Sequence, residues 1–180
     1  MVKIAAIRDA EFLAWLENHA EAIMARESEA LSSMIKRSIA NKADVVAEDE
    51  RESGVRALLN FGHSFAHALE TLTNYRQYLH GEAVAIGMMV ACRLSELRGF
   101  CEPGFSERMG KLLHSFDLPL DLPGKLRTDD ILETMKLDKK VIAGTARLIL
   151  VKSPGHGFID SSSDKLQIAA AINASQHIQE

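Results

Sequence analysis

The sequence predicts a mainly α-helical fold with one short β-hairpin. The chain has 180 residues, of which only 11 are Gly and 4 are Pro, and it is rich in the strong helix formers Ala, Leu, Glu and Arg. Apolar residues recur at helical spacing through most of it, whereas the stretch 141–160 is rich in β-branched residues and is interrupted by Pro154-Gly155. We therefore predict a single multi-helical domain over residues 1–180, with the hairpin inside 141–160.

The helices can be assigned in order. Met1–Ile7 is an apolar helical segment with no capping residue before it, which is typical of the end of a helix that begins earlier. Asp9 is a suitable N-cap for a helix over 9–25. We expect the apolar face around Ile4, Ile7 and Phe12 to pack on a domain outside the chain, and so to be exposed here. Further predicted helices cover 29–48, 54–72, 81–99, 104–116, 128–136 and 163–177.

The helix over 81–99 has small and apolar residues on every side, in the run Ala83 to Cys92. A helix that is apolar all round is buried on all sides. We therefore predict that it is the central helix, that Gly87 permits a neighbour to approach closely, and that Cys92 is a core thiol.

Charge and composition exclude several classes of function. The formal net charge is −4, which does not favour nucleic-acid binding. No run approaches the roughly 18 apolar residues of a membrane span, and the start does not resemble a secretory signal. Two cysteines, Cys92 and Cys101, are too few for a disulfide framework and fit free thiols of a reducing compartment. We expect a cytoplasmic protein that binds neither nucleic acid nor membranes.

The most informative feature is a narrow polar stripe on the predicted helix 54–72. At about 100° per residue, the stripe residues lie within roughly 60° of one another, while leucine and phenylalanine residues fill most of the remaining circumference. Such polar groups are costly to bury unless a metal, an anion or a substrate satisfies them. The stripe therefore predicts a functional site facing an enclosed polar cavity, and it consists of Arg56, Asn60, His63 and His67.

The residue types suggest the chemistry but leave alternatives open. His63 and His67 are one helical turn apart, so they are either a metal-binding pair or a structural pair. Arg56 and Asn60 suit a substrate, because a guanidinium holds a phosphate or carboxylate and an amide fixes a hydroxyl. His80, at the start of a buried helix, is either a neutral metal ligand or a capping residue.

Other charged residues carry no site pattern of their own. The run 48–53 is typical of a solvated turn. From composition alone Lys42, Lys139 and Lys140 are ordinary surface lysines.

The motifs resemble those of one family. The run Gly54-x-Arg56-x-x-Leu-Asn60-x-Gly-His63-Ser-Phe-x-His67, followed by His80-Gly-Glu and later by Asp138-Lys139-Lys140, resembles 3-dehydroquinate synthase, and the resemblance extends over the whole chain. It implies conversion of a seven-carbon keto-acid phosphate of the shikimate pathway, 3-deoxy-D-arabino-heptulosonate 7-phosphate, into 3-dehydroquinate and phosphate. That reaction uses NAD and a divalent metal, zinc or cobalt, for oxidation, phosphate elimination, reduction and aldol closure.

The same resemblance implies particular roles. It matches His63 and His80 with metal ligands, so that His67 is left for hydrogen bonding or proton transfer at phosphate elimination. It matches Glu52 with a carboxylate of the catalytic site and Lys3 with a lysine beside the substrate. The residues that match substrate anchors are Lys42, Arg56, Asn60 and one of Lys139 or Lys140.

Two departures from the family pattern matter. The sequence has no Gly-rich dinucleotide-binding turn after a strand, and the family's third metal ligand, a glutamate, precedes the segment that aligns with Met1–Lys3. We therefore expect the chain to be the C-terminal metal- and substrate-binding half, with the NAD-binding N-terminal domain absent. The full-length enzyme is expected to be a homodimer, and the chain alone to be inactive.

Other functions fit parts of the pattern. A related sugar-phosphate cyclase, of the deoxyinosose or valiolone type, would share the metal site but differ in its substrate anchors. A metal-dependent polyol dehydrogenase would not need the anion-binding Lys42 and Arg56. The alternative from a different class is a non-catalytic helical domain that serves for binding or dimerisation.

Overall fold

The computed structural model describes residues 1–49, 54–137, 141–142 and 145–177. Most of these residues are helical, as predicted. The α-helices are α1 (Val2–Arg8), α2 (Ala10–Met24), α3 (Ser28–Glu48), α4 (His63–Leu72), α5 (His80–Leu97), α6 (Phe105–His114), α7 (Thr128–Leu137) and α8 (Lys165–Asn173), and a 3-10 helix covers Val55–Asn60. None of the described helices is long and apolar enough to cross a membrane.

The strands are short. They are β1 (Leu122–Pro123), β2 (Val141–Ile142), β3 (Thr145–Ala146), β4 (Leu148–Ser153), β5 (His156–Asp160) and β6 (Gln176–His177). β4 and β5 form an antiparallel pair with Leu150 opposite Phe158, which confirms the predicted hairpin, and β2 pairs with β3. The last predicted helix is too long, because α8 ends at Asn173 and β6 instead pairs in parallel with β1.

Helix α5 lies at the centre of the fold, as predicted. It packs against α4, α6, α8 and β4, and its residues are buried without interruption from Ala83 to Cys92. At Gly87 a Cβ atom would lie 2.0 Å from the carbonyl oxygen of Gly62. The absence of a side chain at Gly87 therefore allows the turn before α4 to rest directly on α5.

The apolar face at the start of the chain is covered by the chain itself. Ile4, Ile7 and Phe12 are all buried, so the prediction that they would be exposed is wrong. The cover includes the β4–β5 turn, whose Gly155 N–H donates a 2.9 Å hydrogen bond to the carbonyl oxygen of Ala6 in α1. The hairpin and the first helix thus complete one core.

Asp9 joins the first three helices. Its carboxylate accepts a 2.7 Å bond from the Phe12 N–H, which confirms Asp9 as the N-cap of α2. The same carboxylate accepts a 2.9 Å bond from the Asn41 side chain of α3. This contact fixes α3, the helix that carries Lys42, beside α1.

The predicted continuous helix over 54–72 is wrong. The 3-10 helix ends at Asn60, and α4 begins at His63 after Gly62, which has a φ of +80°. That backbone conformation interrupts an α-helix and is readily adopted only by glycine. The stripe of Arg56, Asn60, His63 and His67 is therefore divided between two elements.

Candidate metal centre

Three histidine rings meet where α4 and α5 begin. The ring centroids of His63 and His80 are 5.3 Å apart, those of His63 and His67 are 5.8 Å apart, and those of His67 and His80 are 6.4 Å apart. Two imidazoles that bind one zinc ion at Zn–N distances of about 2.0–2.1 Å and a tetrahedral angle have centroids about 5 Å apart. The His63–His80 pair fits this spacing most closely.

The turn before α4 positions His63. Phe61 is fully buried, and Gly62 rests on Gly87 of α5, so the first residue of α4 has a fixed location. The Nδ1 atom of His63 lies 3.2 Å from the carbonyl oxygen of Phe61. Because a carbonyl oxygen only accepts, Nδ1 carries the hydrogen in this bond and Nε2 keeps a free lone pair for a metal.

His80 is the first residue of α5, and a carboxylate of α4 holds its ring. The Nδ1 atom of His80 lies 2.8 Å from Oε1 of Glu70. An ionised carboxylate also only accepts, so His80 too donates from Nδ1 and presents Nε2. A histidine whose second nitrogen donates to a carboxylate or a carbonyl is the usual arrangement of a metal ligand.

Cations and burial control the charge of this centre. Burial and the nearby Lys42 ammonium lower the pKa of Lys3 to about 8. Burial and then the Lys3 ammonium lower the pKa of His63 to about 4, against a smaller opposing effect of the Phe61 carbonyl. His63 is consequently neutral at physiological pH, which is the form that binds metals.

His67 lies one turn beyond His63 on α4 and is half-buried. It lines a cavity of about 370 Å³ between α4 and α7, together with Ser64, Glu70, Thr134 and Met135. The ring is close enough to the other two histidines to share their site, and its cavity side can take a polar ligand.

Arg56 and Asn60 lie on the 3-10 helix, which packs against α1, α3, β4 and β5. The buried Asp49 carboxylate fixes the start of this helix, because its Oδ2 atom accepts bonds from the N–H groups of Gly54 at 2.6 Å and of Arg56 at 3.1 Å. The structure thus places Arg56 on a 3-10 helix that contacts both α1, which carries Lys3, and α3, which carries Lys42. Arg56 therefore does not share one continuous helix with His63 and His67, as the stripe predicted.

Some predicted residues lie outside the described part of the chain. These are Glu52, Lys139 and Lys140, so their predicted roles remain predictions. Within the described ranges, no group of three or more His, Cys, Asp or Glu side chains is arranged to hold a metal ion. His63 and His80 alone would thus contribute two ligands and would need a further donor.

Glu70 is a residue of the site that was not predicted from the sequence. A signal was present, because an acidic residue seven positions after His63 falls on the same face of an apolar helix. Its partner His80 could not be inferred from this spacing, since the contact forms only when α4 packs on α5.

The fold is thus a helical domain in which the His63 and His80 rings lie 5.3 Å apart, close to the lysine ammonium groups of Lys3 and Lys42. The 3-dehydroquinate synthase C-terminal family matches residues 1–141. The 3-dehydroquinate synthase of Dichelobacter nodosus is 45% identical over 176 residues, which are 98% of this chain and 48% of that protein. The chain belongs to the 3-dehydroquinate synthase family, and it spans about half the length of the curated relatives it matches.

Solved structures share the fold. The 2-epi-5-epi-valiolone synthase ValA of Streptomyces hygroscopicus, with NAD+ and Zn2+ bound, has a TM-score of 0.84 and 25% identity over 96% of this chain and 48% of that chain. A 2-deoxy-scyllo-inosose synthase complexed with carbaglucose-6-phosphate, NAD+ and Co2+ has a TM-score of 0.68 and 23% identity, over 82% of this chain and 42% of that chain.

Proposed function

We propose that the chain is the metal- and substrate-binding half of a 3-dehydroquinate synthase. In this proposal it converts 3-deoxy-D-arabino-heptulosonate 7-phosphate into 3-dehydroquinate and phosphate together with an NAD-binding part. The observation on which this proposal rests is the His63–His80 pair. Both rings bond through Nδ1, which leaves Nε2 for a metal. In a chain of this family, the position of that pair beside Lys3 supports the proposal that the two histidines bind the metal used in the reaction.

The metal is zinc or cobalt. His63 and His80 would hold it through Nε2, and it would supply Lewis-acid polarisation of substrate oxygens. This assignment is supported by the ring spacing and by the Zn2+ bound in ValA. A third ligand would come from another part of the enzyme.

The substrate carries a phosphate and a carboxylate, so its site must supply cations. Lys3 and Lys42 provide two ammonium groups close enough for one to lower the pKa of the other. An anion between them would relieve that repulsion and favour their charged forms. Arg56 and Asn60 add a guanidinium and an amide, and Lys139 or Lys140 would add a further cation.

His67 and Glu52 would serve in proton transfer. This role is supported by the position of the His67 ring, which lies beside the rings of His63 and His80 and borders the cavity between α4 and α7. It would donate a hydrogen bond or a proton to the departing phosphate. Glu52 is proposed as a nearby carboxylate of the same site.

The remaining functions belong to other chains or segments. We propose that an NAD-binding domain outside residues 1–180 holds the nicotinamide and that the full-length enzyme is a homodimer. The free thiols of Cys92 and Cys101 support a reducing compartment such as the cytoplasm.

Reconstitution tests this function. The chain is mixed with a separately produced N-terminal half of the Dichelobacter nodosus relative, NAD and zinc, and phosphate release from the heptulosonate phosphate is measured. We expect activity in the mixture, none with either half alone, and a loss in the mixture when the chain carries His80→Ala. Substituting the exposed His114 with Ala should leave the activity unchanged. A reconstituted complex of the two halves that releases no phosphate would contradict the proposal and favour a binding module.

A related cyclase is the second candidate, because the ValA structure covers 96% of this chain. Exchanging substrates in the same mixture separates the two. Turnover of a valiolone-type or inosose-type substrate without turnover of the heptulosonate phosphate would favour this candidate.

A further inference from the structure

Glu70 is a buried carboxylate for which the proposed reaction has no direct use. Only 6% of the residue is exposed, and its described side-chain partner is His80. We propose, on the basis of the metal site proposed above, that Glu70 is a positioning residue that fixes the tautomer and ring orientation of His80, so that Nε2 faces the metal.

The exposure of the two partners shows which one orients the other. The His80 side chain is 60% exposed, whereas that of Glu70 is 8% exposed. The described ring neighbours of His80 are His63 and His67, at centroid distances of 5.3 Å and 6.4 Å, and much of a ring this exposed still faces solvent. Its bond to a carboxylate fixed in the core can restrict it, because the burial of Glu70 leaves that side chain little freedom of its own.

The arrangement also links the two metal ligands through one helix. Glu70 is seven residues after His63 on α4, and therefore lies on the same face two turns later. His63 begins this helix, and Glu70 reaches from it to the first residue of α5. The spacing of His63 and His80 is thus set by the packing of α4 on α5, where Gly62 rests on Gly87.

The two histidines differ in what fixes their tautomer. For His63 the acceptor is the main-chain carbonyl of Phe61, which no side-chain substitution removes. For His80 the acceptor is the Glu70 side chain. The proposal therefore predicts that substitution of Glu70 changes His80 and leaves His63 unchanged.

The first test reads the tautomer in the metal-free chain by nitrogen-15 and carbon-13 NMR of the histidine rings, at a pH well above the ordinary histidine pKa of about 6.5. We expect His80 to carry its hydrogen on Nδ1 in the unmodified chain. In Glu70→Leu, which is close in size but cannot accept, His80 should shift largely to the Nε2–H form. In Glu70→Gln, whose amide oxygen can accept, the shift should be smaller.

The controls are His63 in the same spectra and Glu82→Gln, which changes a carboxylate of the same helix end that bonds the Leu79 N–H instead of His80. The His63 tautomer should be the same in every variant, and Glu82→Gln should leave the His80 tautomer as it is. If His80 is the Nε2–H form in the unmodified chain, or if Glu70→Leu does not change it, the proposal is wrong. Glu70→Gln preserves this test if the leucine variant does not fold.

The second test measures zinc affinity by calorimetry. Loss of a carboxylate that supports a histidine ligand typically weakens metal binding by about 10- to 100-fold, and we expect this for Glu70→Leu, a smaller loss for Glu70→Gln and none for Glu82→Gln. Undiminished affinity in Glu70→Leu would overturn the proposal. If instead His80→Ala does not affect zinc binding, the metal pair itself is wrong, whereas the tautomer result still decides the role of Glu70.

Discussion

His63 and His80 begin two helices that pack on each other, but their surroundings differ. His63 is half-buried beside Lys3, so its charge is controlled by burial and by a neighbouring cation. His80 is exposed, and its orientation is controlled by Glu70. In the proposed metal pair, burial and a neighbouring cation would thus prepare the protonation state of one ligand, and a carboxylate would prepare the orientation of the other. The two ligands of such a pair need not have equivalent environments.

The contact between Gly62 and Gly87 joins the turn before α4 to α5. Breaking this contact should give the largest effect. In Gly87→Ala the added Cβ would lie 2.0 Å from the Gly62 carbonyl oxygen, so α4 must move away from α5. We expect a loss of about 2–4 kcal/mol in unfolding free energy, together with weaker zinc binding. Urea unfolding followed by circular dichroism measures the first effect.

Gly81→Ala is the matched control, because Gly81 lies on the same helix and an added Cβ there would meet no atom within 4 Å. It should leave stability unchanged or raise it by roughly 0.5–1 kcal/mol. Equal destabilisation by both variants would show that the α4–α5 approach at Gly87 is not the cause.

The next effect concerns the cation beside His63. Burial disfavours the charged form of Lys3, so Lys3→Met should stabilise the chain at neutral pH by about 1–2 kcal/mol, allowing for its partial exposure. The gain should be full below about pH 8 and disappear toward the ordinary lysine pKa of about 10.4, because the unfolded chain binds the extra proton in that interval. Thermal unfolding across this pH range measures it.

The same variant should raise the pKa of His63, since it removes the Lys3 ammonium, and an NMR titration detects that change. Lys36→Met, on the exposed surface of α3, serves as the control and should have neither effect. A destabilised Lys3→Met chain would contradict the assignment of Lys3 as a functional cation held at a cost in stability.

The pH dependence of stability reports on the burial of His63 beside Lys3. The folded pKa of His63, about 4, is below the ordinary value, so the unfolded chain binds more protons between about pH 6.5 and pH 4. Stability should therefore fall as the pH decreases through this interval, by about 1 kcal/mol after allowance for partial exposure. His63→Gln should reduce this slope, whereas His114→Gln should leave it as it is. If the dependence of stability on pH is the same in His63→Gln as in the unmodified chain, the lowered pKa of His63 is refuted.

The sequence predicted those features that depend on local composition. The apolar run Ala83 to Cys92 identified the central helix, and Asp9 identified the start of α2. The division of residues 54–72 was not predictable from helical periodicity, because it depends on Gly62 adopting a positive φ where it meets Gly87, 25 positions later. The same reason explains the wrong prediction for Ile7 and Phe12, which are covered in a core that includes the distant hairpin.

The candidate site was predictable to a similar extent. The residue types at His63 and His67 indicated a site, but spacing alone did not choose the metal pair, and the resemblance to the family implied His80. The geometry that favours His63 with His80 depends on the packing of α4 against α5. Glu70 shows the limit most clearly, since its position on the helix was visible and its partner was not.

Whether His63 and His80 together bind a metal is decided by calorimetric titration of the chain with zinc, using His63→Ala, His80→Ala and the control His114→Ala. We predict one zinc ion per chain, with an affinity that falls at least about tenfold in each of the first two variants and is unchanged in the third. Zinc binding that is indifferent to both His63 and His80 would contradict this assignment.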